Sequence, residues 1–399
     1  MLKNYNTTLT RGLTLILAAG CGIAVANIYY SQTLISLIGT YLHLNHTLTS
    51  FIVTLTQIGY GAGLIFIVPM GDLTENRRLI FLLLCASAIA LIGILLAQTS
   101  WVFLTFSFLL GLTSVSAQVI VPFAAHLSSE ESRGKTVGNI VSGLSLGVML
   151  ARPLASWLAD LFMWKAVFIL SLFLVLIFAS LVLIKLPRRQ PQETSSYAAI
   201  LTSLLQLWKR YLILRRRSTY HAFLFGAFSL FWTSIALLLL GPNFHYTQGQ
   251  VALFAFAGIS GILAAPLAGR LADRGYSRSV TGAAMMLVAL AFLLANLGKD
   301  SIVALLFAAI LLDAGVCSNL VLGQRAIYML AAAERGRLNG IYLSTFFIGG
   351  AVGSALSGFA YAKGGWIAIC NIGLISVLIV FAYYLTEFFA QFKHKNIKG

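Results

Sequence analysis

Charge is what this sequence has least of. Only 10% of its 399 residues are charged and just 11 are acidic, while 59% are hydrophobic and the mean hydropathy is +0.91. Soluble domains carry roughly 25% charged residues, so the composition argues against a water-soluble enzyme. Cysteine is scarce too: Cys21, Cys85, Cys317 and Cys370 each fall inside an apolar run, without metal-ligand spacing and without a loop in which a disulfide would staple anything. They read as small buried side chains. No G-x-x-x-x-G-K-[ST] loop is present, and Gly349-Gly350 and Gly364-Gly365 lack the strand–turn–helix setting of a dinucleotide site. With no metal cluster and no nucleophile beside a base, no catalytic residue, cofactor or metal is expected, and the chain does not read as an enzyme.

What is present is positive charge, 27 Lys and Arg for a net +16. On a soluble fold that excess would be the footprint of phosphate binding. Here the basic residues interrupt long apolar runs, so no nucleic-acid partner is expected. A spanning helix needs about 20 apolar residues, and the sequence divides into twelve such runs, near 12–38, 48–70, 79–97, 101–125, 136–160, 165–186, 219–243, 250–268, 279–297, 301–328, 338–361 and 366–389. The first, which follows Lys3 and Arg11, is too long for a signal-peptide core and reads as a retained helix. With the N-terminus in the cytoplasm, 23 basic residues fall on the inner side and only Lys165, Lys299 and Lys363 on the outer; Arg152 alone lies within a span. Positive charge marks the inner side, so both termini are expected in the cytoplasm of a multi-pass inner-membrane protein.

The expected fold class is therefore an all-α integral membrane protein of twelve transmembrane helices in two pseudo-symmetric six-helix bundles, 1–186 and 219–399. The connection 187–218 carries Tyr197, Ile200, Leu201, Leu204, Leu205, Trp208, Tyr211 and Leu212 at helical spacing among basic residues, the pattern of an amphipathic helix on the membrane surface. The two bundles repeat one plan. Arg133-Gly134-Lys135 matches Arg335-Gly336-Arg337 at an offset of 202, which also carries Gly147 onto Gly349 and Trp164 onto Trp366, while Asp72 and Arg77 match Asp273 and Arg278 at 201. Paired repeats with a path between them are a transporter architecture.

On these residues the chain resembles the major facilitator superfamily over essentially its whole length. Gly269-Arg270-Leu271-Ala272-Asp273-Arg274-Gly275-Tyr276-Ser277-Arg278 is similar to the family's signature loop, and the first-half copy departs from it with Glu75 and Asn76. Asn27-Ile28-Tyr29-Tyr30-Ser31-Gln32-Thr33-Leu34 is similar to a first-helix pattern of bacterial drug/proton antiporters. Gly138, Gly147 and Ala151 resemble the fifth-helix antiporter motif, with Arg152 where proline is usual and Pro153 one step later. The resemblance implies that Asp72, Arg77, Arg78, Asp273, Arg274 and Arg278 gate the cytoplasmic ends; the alternative is a topology signal alone. It also implies that spans one, four, seven and ten line the substrate path, which nominates Asn27, Tyr29, Tyr30, Gln32, Gln118, Trp232, Asn319 and Gln324, although helix packing serves equally for any one of them. Gln57 reads as packing glue, and His126, His221 and His245 as interfacial residues at span ends.

Two charges fall where hydrocarbon should forbid them, Asp313 in span ten and Arg152 in span five. Ionisable groups at that depth are functional hypotheses. A carboxylic acid in low dielectric can trade a proton where an exposed one stays ionised, which makes Asp313 the candidate for proton coupling. Arg152 keeps its proton; it can pin Asp313, hold an anionic substrate, or bind carbonyls freed by Pro153. The reading is a monomeric secondary transporter of small organic molecules that exports by proton antiport. An importer or facilitator for a sugar or organic anion, and a non-transporting sensor or scaffold, stand as alternatives.

Overall fold

In hydrocarbon every backbone N–H and C=O must be satisfied within its own segment, so the apolar runs can only be helices. A computed structural model describes residues 10–190, 196–331 and 334–395. Lys3 and Lys398 and residues 191–195 of the connection lie outside them, as do the side chains of Lys393 and Lys395.

Span one is α1 (Arg11–Ala26) and α2 (Tyr30–Tyr41), broken at Asn27–Tyr29; span two is α3 (His46–Phe66) and span three α4 (Asn76–Leu96). Span four is α5 (Ser100–Ser114) and α6 (Ser116–Leu127), followed by α7 (Glu130–Leu161) and α8 (Ala166–Lys185). The connection holds α9 (Tyr197–Arg210). The second half runs through α10 (Leu212–Leu240), the broken span α11 (Gln248–Ala255) and α12 (Ile259–Leu271), then α13 (Ser277–Leu297), α14 (Ile302–Tyr328) and α15 (Arg335–Lys395). Ten segments are long and apolar enough to cross a membrane. Two of them double back, at Gly275 (φ 90°) and Gly365 (φ 59°), left-handed positions that glycine adopts freely, which makes twelve crossings. No strand occurs among the described residues.

The helices start where short polar side chains can take up orphan amide groups. Thr10, Asn45, Ser129, Ser196 and Ser301 each accept a hydrogen bond from the amide three residues on, and Thr247 with Gln250 closes a full capping box. α9 forms as its periodicity predicts, burying Ile200 and Leu207, and Tyr197 Oη donates to the carbonyl of Phe66 at 2.7 Å. We refer to the ends of the bundle as the basic end, which holds loops 72–76, 128–130 and 271–277, and the opposite end.

The repeat seen in sequence is a repeat of packing. Gly147 of α7 lies against the backbone of Gly22 in α1, and its counterpart Gly349 of α15 against the backbone of Ala222 in α10. Lipid tails are as apolar as leucine, so close backbone approach at small residues holds membrane helices together. A neutral polar seam joins the halves: Gln57 Nε2 donates to Ser229 Oγ at 3.0 Å, and Thr54 and Ser354 share a hydrogen bond of 2.9 Å. Gln57 is thus packing glue, but between halves. At the opposite end Gly249 of α11 leaves no room for a Cβ beside the Asp160 carboxylate of α7. At the basic end a vestibule of about 240 Å³ lies between the halves, bordered by Leu64, Gln118, Tyr328, Arg337 and Asn339.

Gly147→Ala is expected to lower stability by about 1–3 kcal/mol, the usual range for overpacking. Gly134, with open space around it, should accept alanine without loss. Unfolding temperatures of the two variants in detergent check this, and equal stability would refute the close approach.

Candidate substrate and coupling site

Span five carries Arg152 and Pro153 together, nine residues from its end at Leu161. Proline has no amide hydrogen, so the ladder loses its bond to the Met149 carbonyl; separately, Thr33 Oγ1 of span one donates to the Arg152 carbonyl at 3.4 Å. The Arg152 side chain crosses to the other half. Its guanidinium lies 3.9 Å from the centroid of the Trp232 ring, 5.1 Å from Phe228 and 6.0 Å from Tyr29. Nη2 stands 3.8 Å from Asp313 Oδ1. Trp232 Nε1 donates to the other carboxylate oxygen at 2.8 Å, so one indole offers its face to the cation and its edge to the anion. Arg152 is 2% exposed and Asp313 3%.

One backbone position completes the cluster. Gly258, in the break between α11 and α12, lies flat against the pair; a Cβ there would meet Asp313 Oδ1 at 3.2 Å and Arg152 Nη2 at 3.5 Å. Neither Gly258 nor Phe228 carries a polar atom that would mark it in sequence. The structure therefore gathers Tyr29, Arg152, Trp232 and Asp313, drawn from spans one, five, seven and ten. Gln32 stands one turn beyond Tyr29 on the same face, since its amide bonds the Tyr29 carbonyl at 3.1 Å. It is fully buried, and neither amide atom of its side chain has a partner.

The other nominated residues lie apart from this cluster. Asn27 accepts from Ser171 Oγ at 2.6 Å and Tyr30 packs edge-on to Phe168, both toward span six within the first half. Gln118 Nε2 donates to Tyr60 Oη at 3.1 Å at the head of the vestibule. Between vestibule and ion pair runs a chain of ring contacts, one stacked and three tilted or edge-on: Tyr60 with Phe347, Phe347 with Phe225, Phe225 with Phe228, Phe228 with Trp232. Gln324 Nε2 donates to Asn339 at 3.1 Å. Asn319 bonds His221 Nδ1 at 3.0 Å, and here the interfacial reading of His221 is corrected. Its helix begins at Leu212, not near 219, so His221 lies more than two turns inside, 1% exposed and stacked on Tyr342. His126 and His245 are exposed.

At the basic end each signature aspartate has a basic neighbour. Asp273 Oδ1 pairs with Arg325 at 2.9 Å, within its own half and in water. Asp72 acts on Arg189, whose pKa half-burial lowers and Asp72 partly restores; Arg189 also donates to Asn76 at 2.8 Å. Arg77 donates to the carbonyl of Leu186 at 3.1 Å, while Arg78 and Arg274 are exposed. Arg278 faces Glu387 at 3.9 Å, and that acid, not singled out in sequence, also gathers Arg217 at 3.4 Å and the hydroxyl of Tyr220 at 2.8 Å.

Twelve crossings in two repeated halves, with a buried ion pair between them, are a transporter architecture. The Major Facilitator Superfamily profile matches residues 15–262 and again 218–395, and the chain belongs to that family. It is 36% identical over 374 residues to the "Uncharacterized transporter YgaY" of Escherichia coli O157:H7, covering 94% of this chain and 95% of that one. To the "Probable transporter SCO4007" of Streptomyces coelicolor it is 31% identical over 358 residues, covering 90% and 83%. The crystal structure of a point mutant of the nucleoside transporter NupG superposes with a TM-score of 0.74 at 16% identity, covering 94% of this chain and 99% of that one; the likeness is one of fold. The protein is a multi-pass membrane transporter and not an enzyme.

Removing one partner of a buried ion pair leaves an uncompensated charge, at about 3–5 kcal/mol. Arg152→Leu and Asp313→Leu should each destabilise on that scale, and the double variant by clearly less than the sum. A double-mutant cycle from denaturant unfolding in detergent measures this; additive losses would mean the two side chains do not interact.

Proposed function

We propose that the protein is a proton-coupled transporter of small organic molecules, working as a monomer by alternating access in a bacterial cytoplasmic membrane with the basic end and both termini inside. The observation that carries this reading is the Arg152–Asp313 pair, one charge from each half, buried so that each offsets the other and a proton can take the place of Arg152 in neutralising Asp313. In the empty carrier the two cancel each other. When Asp313 accepts a proton its pull on Arg152 ends, and the contact between halves weakens at the depth where a substrate sits. The close approach of Gly249 to Asp160 between the halves at the opposite end, and the vestibule at the basic end, support an inward-facing carrier. Asp72, Asp273 and their arginines act as the gate at the basic end, with Asp273 held by Arg325 while that end is open.

The direction of substrate relative to proton follows from charge. A cationic substrate competes with the proton for Asp313 and is exchanged for it, which is drug efflux by antiport, the reading that the Asn27–Leu34 pattern supports. An anionic substrate competes with Asp313 for Arg152 and travels with the proton.

Flux into proteoliposomes under an imposed pH gradient, with labelled benzoate and tetraphenylphosphonium as anionic and cationic probes, tests the coupling. Asp313→Asn should abolish gradient-driven accumulation of whichever probe is carried and keep its exchange at equal pH. Full gradient-driven accumulation in that variant would overturn the assignment.

A further inference from the structure

Arg152 is buried with most of its hydrogen-bonding capacity unused. A guanidinium has five N–H donors in a planar fork. Nε and Nη1 are buried without a hydrogen-bond partner, and Nη2 stands 3.8 Å from Asp313, beyond hydrogen-bond distance. Asp313 is better served, since Trp232 holds one oxygen at 2.8 Å and the other faces the arginine. A site built to receive a cation would leave its carboxylate wanting partners; this one leaves the cation wanting them. Buried polar groups without partners are costly to keep. The fork matches a carboxylate, which it can grip through two parallel hydrogen bonds.

Further unpartnered groups lie on the same faces. Both ends of the Gln32 amide are unpaired, one turn beyond Tyr29, and Ser156 Oγ is unpaired one turn beyond Arg152 on α7. They can serve a second hydrogen-bonding group. The titratable groups facing Asp313 are Arg152 from α7, Tyr29 from span one and Cys317 on its own helix. Only Arg152 among these carries charge at neutral pH.

We propose that this site takes a small organic monocarboxylate with a further hydrogen-bonding group, whose carboxylate replaces Asp313 on Arg152 while Asp313 takes up a proton, so that anion and proton cross together. The inference rests on the reading of Asp313 as the coupling group. Charge balances at each stage. The empty site holds guanidinium and carboxylate; the loaded site holds guanidinium, substrate carboxylate and a neutral acid.

The test uses full-length protein, purified and checked for folding by size exclusion. Thermal unfolding is followed with lactate, benzoate and 4-hydroxybenzoate, each beside its amide, and with tetraphenylphosphonium, at pH 5.5 and 7.5. Wild type should be stabilised by carboxylates and not by amides, with affinity falling up to about tenfold per pH unit, the slope for one linked proton. Asp313→Asn should bind carboxylates equally at both pH values. Arg152→Gln should lose roughly 30-fold or more in affinity. If that variant fails to fold, the neutral pair Arg152→Gln/Asp313→Asn replaces it and should show no carboxylate effect. Amide or cation effects equal to those of the carboxylates, carboxylate binding that survives loss of Arg152, or no carboxylate effect at either pH would overturn the proposal. Proton-driven tetraphenylphosphonium transport abolished by Asp313→Asn, without carboxylate binding, would sink this inference and leave the coupling role standing. Arginine-dependent carboxylate binding with gradient-driven flux intact in Asp313→Asn would sink the coupling role and leave the carboxylate site.

Discussion

A guanidinium buried where water cannot follow it is the constraint around which the centre of this protein is organised. The idealised cost of moving such an ion into a medium of low dielectric is of order 20 kcal/mol, so every neighbour of Arg152 has to offset it. Trp232 presents its ring at 3.9 Å and Asp313 its carboxylate at 3.8 Å, while Gly258 gives up a side chain so that both can fit. The helix breaks at Asn27–Tyr29 and Phe256–Gly258 lie beside this cluster. Because the two charges come from different halves, the position of each bundle is tied to the ionisation of the other's residue.

The internal repeat shows what is special about that contact. At the offset of 202 the counterpart of Arg152 is Ser354, and at 201 the counterpart of Gly258 is Gln57. Ser354 and Gln57 touch, at 3.5 Å, and Arg152 and Gly258 are neighbours too, since a Cβ on Gly258 would stand 3.5 Å from Arg152 Nη2. The same junction is thus built twice, with the large polar residue exchanged between partners. One copy is a hydrogen-bonded seam of hydroxyl and amide, completed by Ser229 and Thr54, and no proton changes it. The other holds the Arg152–Asp313 ion pair, which on the proposed function a proton dissolves. A carrier whose halves were joined by two neutral seams would have nothing for a proton gradient to act on.

Much of this was legible in the sequence, and the limits have physical causes. Twelve spans, the repeat and a helix within the connection follow from runs and periods, because the bilayer allows few alternatives. Asp313 and Arg152 stood out because charge in an apolar run is conspicuous. Their pairing was one of several alternatives the sequence left open, since it depends on how two helices some 160 residues apart are rotated against each other. Gly258 and Phe228 were invisible because neither carries a polar atom, and the seam at Gln57 because an isolated glutamine says nothing of its partner. His221 was misread from a helix start placed seven residues late: Arg215 to Arg217 read as loop, whereas Arg217 is held inside the bundle end by Thr281 and Glu387. Of the residues nominated by the substrate-path pattern, Tyr29 and Trp232 meet the ion pair, while Asn27 and Tyr30, two positions and one position from Tyr29, turn into the first bundle. A resemblance marks a helix; the face is decided by packing.

Electrostatics alone can couple anion and proton in such a site. Empty, the centre is neutral, with Arg152 and Asp313 cancelling. Loaded with a carboxylate and a proton, it is neutral again. The two half-loaded forms are not: a proton on Asp313 without the anion strands Arg152, and an anion beside an ionised Asp313 leaves an excess negative charge. Moving either past the chain of rings from Tyr60 to Trp232 means carrying a net charge through an apolar, water-poor layer, at an effective cost of several kcal/mol per ion. At about 1.4 kcal/mol per tenfold in rate, a penalty of about 4 kcal/mol makes the uncoupled crossing roughly a thousand times slower. On the proposed coupling, the low dielectric around the pair favours the neutral forms, and the aromatic layer between the pair and the vestibule raises the cost of the charged ones.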